Sequence, residues 1–413
     1  MFASRIVIFL TFVHSNAEVH KVPLIKAKPP GERGDEEGAL RLPESNPHQS
    51  ITMIGSSVDA KYIGEITIGT PEQKFRVLID TASANTFVAD VSCKPVPKPA
   101  ICADSKCNAG LVCKVFCPDQ SCCLRGPKPV RSACDGKNLF NMTASESYNR
   151  VEGKWNSKHP AAEGFSGNDT VRLGGSGSEQ LTVPGSIFGQ ATQLSDLFAG
   201  SEFDGVLGLA FDVIASGHLT SPVTRAIQLG LLEKPLFTVY LGSGKDDGGL
   251  ITYGALDVDN CGPIIAWEHL TVPIYWQFKL TAVASGKFSS NSKWTAMMDS
   301  KSSMIKMPTG LSQAIAEENG AEIFPVGHPV GTLDIDCAST AALTLTIGHL
   351  NYTVTSKNLV LPSPNGYCIF AISGFTAERH HPSWILGVPF SRRYCTVHDF
   401  GEEKIGFAET LKI

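Results

Sequence analysis

One seven-residue pattern occurs twice in this chain of 413 residues. Val77-Leu78-Ile79-Asp80-Thr81-Ala82-Ser83 is an apolar run, an aspartate, a hydroxyl residue, a variable position and a serine. Ala296-Met297-Met298-Asp299-Ser300-Lys301-Ser302 repeats that order. Each copy is followed by an apolar Leu-Gly element, Val206-Leu207-Gly208 in the first half and Ile385-Leu386-Gly387 in the second. The spacing from aspartate to leucine is 127 residues in the first half and 87 in the second, and the excess nearly equals the 42-residue stretch Cys93–Cys134. The chain therefore reads as two related halves, one carrying a cysteine-rich insertion at 93–134.

From Lys61 onward short apolar runs alternate with Gly, Pro, Asn and Asp. Tyr62–Ile68 and Phe75–Ile79 alternate like strands, and helical patterns are confined to about Pro222–Leu231 and Gly310–Asn319. This grammar predicts an all-β fold. An aspartate directly after a buried strand is costly unless it is hydrogen-bonded or functional. Two of them, at equivalent places in duplicated lobes, would meet where the lobes meet. Like carboxylates held close share a proton, raising one pKa. The ionised partner can then activate water while the protonated one polarises a carbonyl. In that arrangement Thr81 and Ser300 would tie the two loops together, and Ser83 and Ser302 would fix the carboxylates. The bland alternative is a pair of unrelated turn-capping aspartates, which the repetition disfavours.

Apolar residues make up 42% and charged residues 18%, as in globular chains. A net charge of −5 gives no basis for a nucleic-acid partner. Residues 1–17 read as a signal peptide: Arg5 precedes a short apolar run, and Ser15-Asn16-Ala17 offers a cleavage site. That run is too short to cross a bilayer, which takes roughly 20 residues, and no later run is longer. Residues 18–57 are polar and rich in Pro, Gly and charge, and are expected to be a short propeptide-like leader contributing no core. The twelve cysteines, eight of them in 93–134, suit disulfides in an oxidising compartment. The rival reading, zinc, lacks paired Cys-x-x-Cys elements and a nearby histidine. Sequons at Asn141, Asn168 and Asn351 agree with passage through a secretory or endomembrane lumen.

From Lys61 to the C-terminus the chain resembles the pepsin-like aspartic peptidases. Tyr62-Ile63-Gly64-Glu65-Ile66-Thr67-Ile68-Gly69-Thr70-Pro71 is similar to the family's opening strand and turn. Phe203-Asp204-Gly205-Val206-Leu207-Gly208-Leu209-Ala210 is similar to its first-lobe core element, and Trp384-Ile385-Leu386-Gly387 with Phe407-Ala408 to its closing strands. Pro235-Leu236-Phe237-Thr238 and Asn260-Cys261-Gly262-Pro263 resemble nematode members in particular. The resemblance implies a bilobal all-β fold, with an N-terminal lobe over 58–240 and a C-terminal lobe over 241–413. It implies a peptide or protein held in a cleft between them, with Asp80 and Asp299 as the catalytic pair. It implies no metal and no organic cofactor, and a monomer is expected.

Three departures bear on activity. The family writes Asp-Thr/Ser-Gly at both loops, where this chain has Asp80-Thr81-Ala82 and Asp299-Ser300-Lys301. Ala82 adds a methyl; Lys301 brings a cation beside Asp299, or strains the loop that must point it away. Upstream of Gly164–Val171, Glu152 stands where the family's flap tyrosine would be, and Asn156–Glu163 lengthens the hairpin tip. These changes point to impaired activity, with a non-catalytic peptide-binding protein as the alternative. Among the cysteines, Cys337–Cys368 and Cys261–Cys395 are the expected pairs, leaving four bridges within Cys93–Cys134.

Overall fold

The computed structural model describes residues 17–27, 61–95, 133–158, 161–195, 198–242, 248–323, 332–363, 366–377 and 381–411. The expected signal segment, most of the expected leader and all but the ends of the cysteine-rich stretch 93–134 lie outside these. The first half builds strands β1 (His20–Ala27), β2 (Lys61–Ile68), β3 (Gln73–Asp80), β4 (Phe87–Pro95), β5 (Asn149–Lys158), β6 (Ala161–Leu173), β7 (Leu181–Leu194) and β8 (Gly205–Gly208). There follow β9 (Leu236–Leu241), β10 (Gly249–Tyr253), β11 (Cys261–His269), β12 (Gln277–Ser285), β13 (Phe288–Met298) and β14 (Ile305–Pro308).

A 13-stranded sheet runs in the order β11, Lys404–Thr410, Tyr394–Asp399, β9, β10, β1, β2, β3, β8, β4, β7, β6, β5. The C-terminal hairpin thus pairs with β9, so one sheet passes through both halves of the chain. The rest of the second half forms a seven-stranded sheet, which contains β12, β13, Trp384–Leu386 and β14, and a four-stranded one. The helices are short: Pro222–Gln228 and Thr309–Glu318 fall where the helical patterns were expected. Pro222 opens the first, at a position where a missing N–H costs nothing.

The expectation that 18–57 adds no core is corrected at His20–Ala27. This stretch is β1, hydrogen-bonded between β10 and β2 with Leu24 opposite Gly64 and Gly249. Val22, Leu24 and Ala27 are buried. The alternation was legible in Val22-Pro23-Leu24, but the exposed apolar Ile25 breaks the period. Pro23 is opposite Leu250 of β10 only, since the pairing with β2 begins at Leu24, so the strand has an edge there that accepts a residue without an N–H. A Cβ on Gly248 would meet the Leu24 carbonyl at 2.0 Å, so the neighbouring chain is shaped to admit β1.

Three disulfides fall within the described residues. Cys261–Cys395 and Cys337–Cys368 join with Cα separations of 6.0 and 5.2 Å, the pairs expected. Cys93–Cys134 closes the base of the insertion; its other six cysteines lie outside the described residues.

Candidate active site

The two copies of the repeat take the same local structure. Asp80 ends β3, which runs parallel to β8 with Asp80 beside Gly208. Asp299 follows β13, which runs parallel to Trp384–Leu386 with Met298 beside Leu386. After each aspartate the chain turns and passes hard against the glycine of the partner strand. A Cβ on Gly208 would lie 2.5 Å from the Ala84 carbonyl carbon, and one on Gly387 would lie 2.2 Å from the Ser302 carbonyl oxygen. That close approach is why each Leu element ends in Gly. The turns are held alike: Ala210 N–H donates to the Ser83 carbonyl at 2.9 Å, and Val388 N–H to the Ser302 carbonyl at 2.8 Å.

The hydroxyl residues lock one turn to the other. Thr81 N–H donates to Ser300 Oγ at 3.1 Å, and Ser300 N–H donates to Thr81 Oγ1 at 3.0 Å. Each hydroxyl then donates across to the opposite chain, Ser300 Oγ to the Ile79 carbonyl at 2.7 Å and Thr81 Oγ1 to the Met298 carbonyl at 3.3 Å. This reciprocal exchange between residues 219 apart fixes the two aspartates relative to each other. Asp80 is fully buried and Asp299 nearly so.

Ser83 and Ser302 do something other than expected. Ser83 Oγ accepts from Asn85 N–H, and Ser302 Oγ donates to the Met304 carbonyl. The carboxylates are instead capped by backbone: Ala82 N–H donates to Asp80 Oδ1 at 2.9 Å and Lys301 N–H to Asp299 Oδ1 at 3.0 Å. An aspartate at the start of a tight turn reaches the N–H two residues on more readily than a serine three residues on reaches back.

Of the two alternatives for Lys301, a cation beside the dyad or a strained loop, the strain is absent. Neither Ala82 nor Lys301 has a positive φ, so the turns accept a side chain without cost to the backbone. The lysine also reaches a different partner. Its Nζ lies 3.0 Å from both Asp80 Oδ1 and Oδ2, and 3.8 Å from Asp299 Oδ2. Extended from the second loop, the side chain crosses to the aspartate of the first. Burial raises the Asp80 pKa, with Lys301 opposing, Asp299 reinforcing and the Ala82 N–H opposing. Burial alone would discharge Lys301, but Asp299 and Asp80 outweigh it and hold the ammonium charged far above its ordinary range. The cation therefore persists at any pH where Asp80 is ionised.

Glu152 is exposed, in the irregular stretch of β5 between Arg150 and Lys154. Asn156–Lys158 and Ala161–Glu163 extend the β5–β6 ladder, with Asn156 opposite Glu163, while residues 159–160 lie outside the described residues. The buried residue of β5 is Trp155, its ring 4.8 Å from that of Phe87. Trp155 Nε1 donates to the Phe165 carbonyl at 2.9 Å. Two further residues had no motif to announce them. Tyr275 interacts electrostatically with Lys301 and Asp80, and Lys61 with Lys301 and both aspartates. Among the sequon asparagines, Asn351 is exposed, while Asn141 and Asn168 are half-buried.

Among the described residues no helix is long and apolar enough to cross a membrane. The comparisons with known proteins agree with this geometry. The family model "Eukaryotic aspartyl protease" matches residues 61–410. The chain is 40% identical to Aspartic protease 2 of Necator americanus, across 95% of this chain and 96% of that one. It is 33% identical to Aspartic protease 6 of Caenorhabditis elegans over 89% and 85% of the two chains. With gastricsin of Homo sapiens the identity is 28% over 95% of each. Two aspartates on matched strand ends, interlocked through Thr81 and Ser300, and a match spanning nearly all of the chain place this protein in the eukaryotic aspartyl protease family.

Proposed function

We propose that this chain is a secreted, monomeric aspartyl protease relative whose dyad is blocked by its own Lys301, and which holds peptides without efficiently cutting them. The observation that carries the reading is the position of Lys301 Nζ, 3.0 Å from both oxygens of Asp80 and 3.8 Å from Asp299. Peptide hydrolysis by two carboxylates needs a water between them, one carboxylate ionised to activate it and the other protonated to polarise the carbonyl. A water hydrogen-bonded to Asp80 would need the lone-pair directions that the ammonium already uses. The cation also stabilises both negative charges, which works against the single shared proton. Signal peptide 1–17, three disulfides and an exposed sequon at Asn351 support passage through an oxidising lumen.

A working acid endopeptidase is the second reading, favoured by the retention of both aspartates and by the names of the relatives. Purified protein incubated with a denatured protein substrate between about pH 3 and 6 separates the two. The blocked dyad leaves the substrate intact while immobilised peptides still retain the protein. Robust turnover that disappears in Asp80→Asn would establish the working peptidase instead.

A further inference from the structure

β2 and β3 pair with Ile63 opposite Leu78. Two residues further along that ladder Lys61 comes level with Asp80, on the face that carries Ile63 and Leu78. Those two residues belong to one buried apolar cluster with Phe87, Trp155, Phe198 and Phe203. Lys61 Nζ lies over the Phe203 ring, 5.3 Å from its centroid. The residue is half-buried, and among the described residues its ammonium has no hydrogen bond and no ion pair. Lys137, 5.7 Å from the same ring, shows the contrast: its Nζ donates to the Ser201 carbonyl at 2.7 Å and to Ser201 Oγ at 2.8 Å. Lys301 has two aspartates. Lys61 has an aromatic face, with Lys301 and the two aspartates near enough to act on its charge but none of them bonded to it.

A cation removed from water with no anion bonded to it is unfavourable, and a face of Phe compensates only about 0.5–2 kcal/mol. The strain shows in its titration: burial first, then repulsion by Lys301, lowers the Lys61 pKa to about 8, with Asp299 and Asp80 opposing. Both aspartates act on it from a distance, but among the described residues no carboxylate bonds its ammonium. We propose that Lys61 is a recognition residue, whose ammonium pairs with a carboxylate of a peptide held beside the dyad. The inference rests on the peptide-holding reading above. It names the ligand class: peptides carrying Asp, Glu or a free C-terminus at the position that meets Lys61.

The test uses the full chain at about pH 6.5, where peptide carboxylates are ionised. Three peptides of one sequence are compared: internal Glu with an amidated end, Gln with a free carboxylate end, and Gln with an amidated end. One of the two acidic peptides is expected to bind about tenfold tighter than the neutral one, as a charge-assisted bond implies. Which one binds tells the source of the carboxylate. The ratio should fall near one in Lys61→Met and return in Lys61→Arg. In the unmutated protein, the favoured peptide should protect Lys61 from acetic anhydride, read by mass spectrometry, and the neutral peptide should not. Equal binding of all three, absence of binding, a preference that survives Lys61→Met, or no protection of Lys61 overturns the inference. The bound peptides are also checked for cleavage. Cleavage would remove the blocked-dyad reading and leave the carboxylate preference standing, whereas equal binding of intact peptides would do the reverse.

Discussion

At Lys301 two electrostatic effects compete, and their balance shifts with pH. Burial raises the pKa of Asp80, so the folded state favours its protonation; the ammonium at 3.0 Å favours its ionisation. At neutral pH the ion pair holds, and removing one partner of a buried pair costs about 3–5 kcal/mol, because the other charge is left uncompensated. Lys301→Met is therefore expected to lower stability by about 3 kcal/mol at pH 7, discounted to the lower limit because the lysine side chain is 22% exposed. The sign with pH follows from the raised pKa. The cost of an unpaired buried carboxylate is present above its folded pKa and disappears as pH falls through it. Urea unfolding of wild type and Lys301→Met at pH 7 and pH 4 should show the difference shrinking on acidification; a difference that grows would contradict the pairing. The aspartates and the interlocking hydroxyls were legible because they repeat. The choice of Asp80 over Asp299 was not, since it depends on a side chain crossing between loops that are distant in sequence. Lys61 and Tyr275 were silent for the same reason: their meaning comes from neighbours supplied by other strands.

Among the elements, the β5–β6 hairpin differs most from the sequence expectation. Glu152 lies on the exposed side of the strand, while Trp155, three residues on, turns inward and packs against Phe87. Two glycines make room for it. A Cβ on Gly189 would lie 2.4 Å from the indole ring, and one on Gly217 would lie 2.7 Å from Trp155 Cβ. The backbone joins in, with Asn156 N–H donating to Ser216 Oγ at 3.1 Å and Ser166 Oγ donating to the Gly217 carbonyl at 3.1 Å. The hairpin is thus pinned to the 216–217 turn. Ser216 N–H in turn donates to Asn85 Oδ1 at 2.9 Å, which links the hairpin to the turn after Asp80. Trp155→Ala is expected to cost about 3–5 kcal/mol, the range for deleting a buried large aromatic. Limited proteolysis should then cut first within 149–173; unchanged resistance there would show that the hairpin is held by other contacts. Strand β1 carries the same lesson. A period of two over eight residues is a weak signal when the exposed positions include Pro23 and the apolar Ile25, and it becomes visible only once β2 and β10 provide its partners. Leu24→Ala should destabilise by about 2–5 kcal/mol if β1 is an integral strand, and by almost nothing if it is a loosely attached leader.

For the whole molecule, the sheet that joins β9 to Tyr394–Asp399 contains a buried histidine. His398 is fully buried, stacked on Phe237 at 4.4 Å and edge-on to Trp276 at 4.8 Å, and neither ring nitrogen has a well-formed hydrogen bond. Burial, opposed by the nearby backbone of Thr396 and Phe237, lowers its pKa to about 3. A depressed histidine pKa means that the unfolded chain takes up a proton near pH 6.5 that the folded one refuses. Stability is therefore lost as pH falls from about 6.5 towards 3, at up to roughly 1.4 kcal/mol per pH unit. His398→Phe should flatten the acid limb of the stability profile, measured by chemical denaturation from pH 7 to 4; an unchanged slope would place the acid sensitivity elsewhere. The two-lobed, all-β plan was legible because duplication and strand grammar are spread over the chain. The shared sheet was not, because pairing of β9 with Tyr394–Asp399 joins segments more than 150 residues apart. The central claim, that Lys301 keeps the paired aspartates from working, is most directly tested by the cleavage rate of Lys301→Gly on a denatured protein between about pH 3 and 6. The substitution needs no backbone change, since the turn already accepts an ordinary residue. Cleavage that appears in Lys301→Gly and vanishes when Asp80→Asn is added is the predicted result. A folded Lys301→Gly protein that stays inactive, or a wild type that already cleaves as fast, would contradict it.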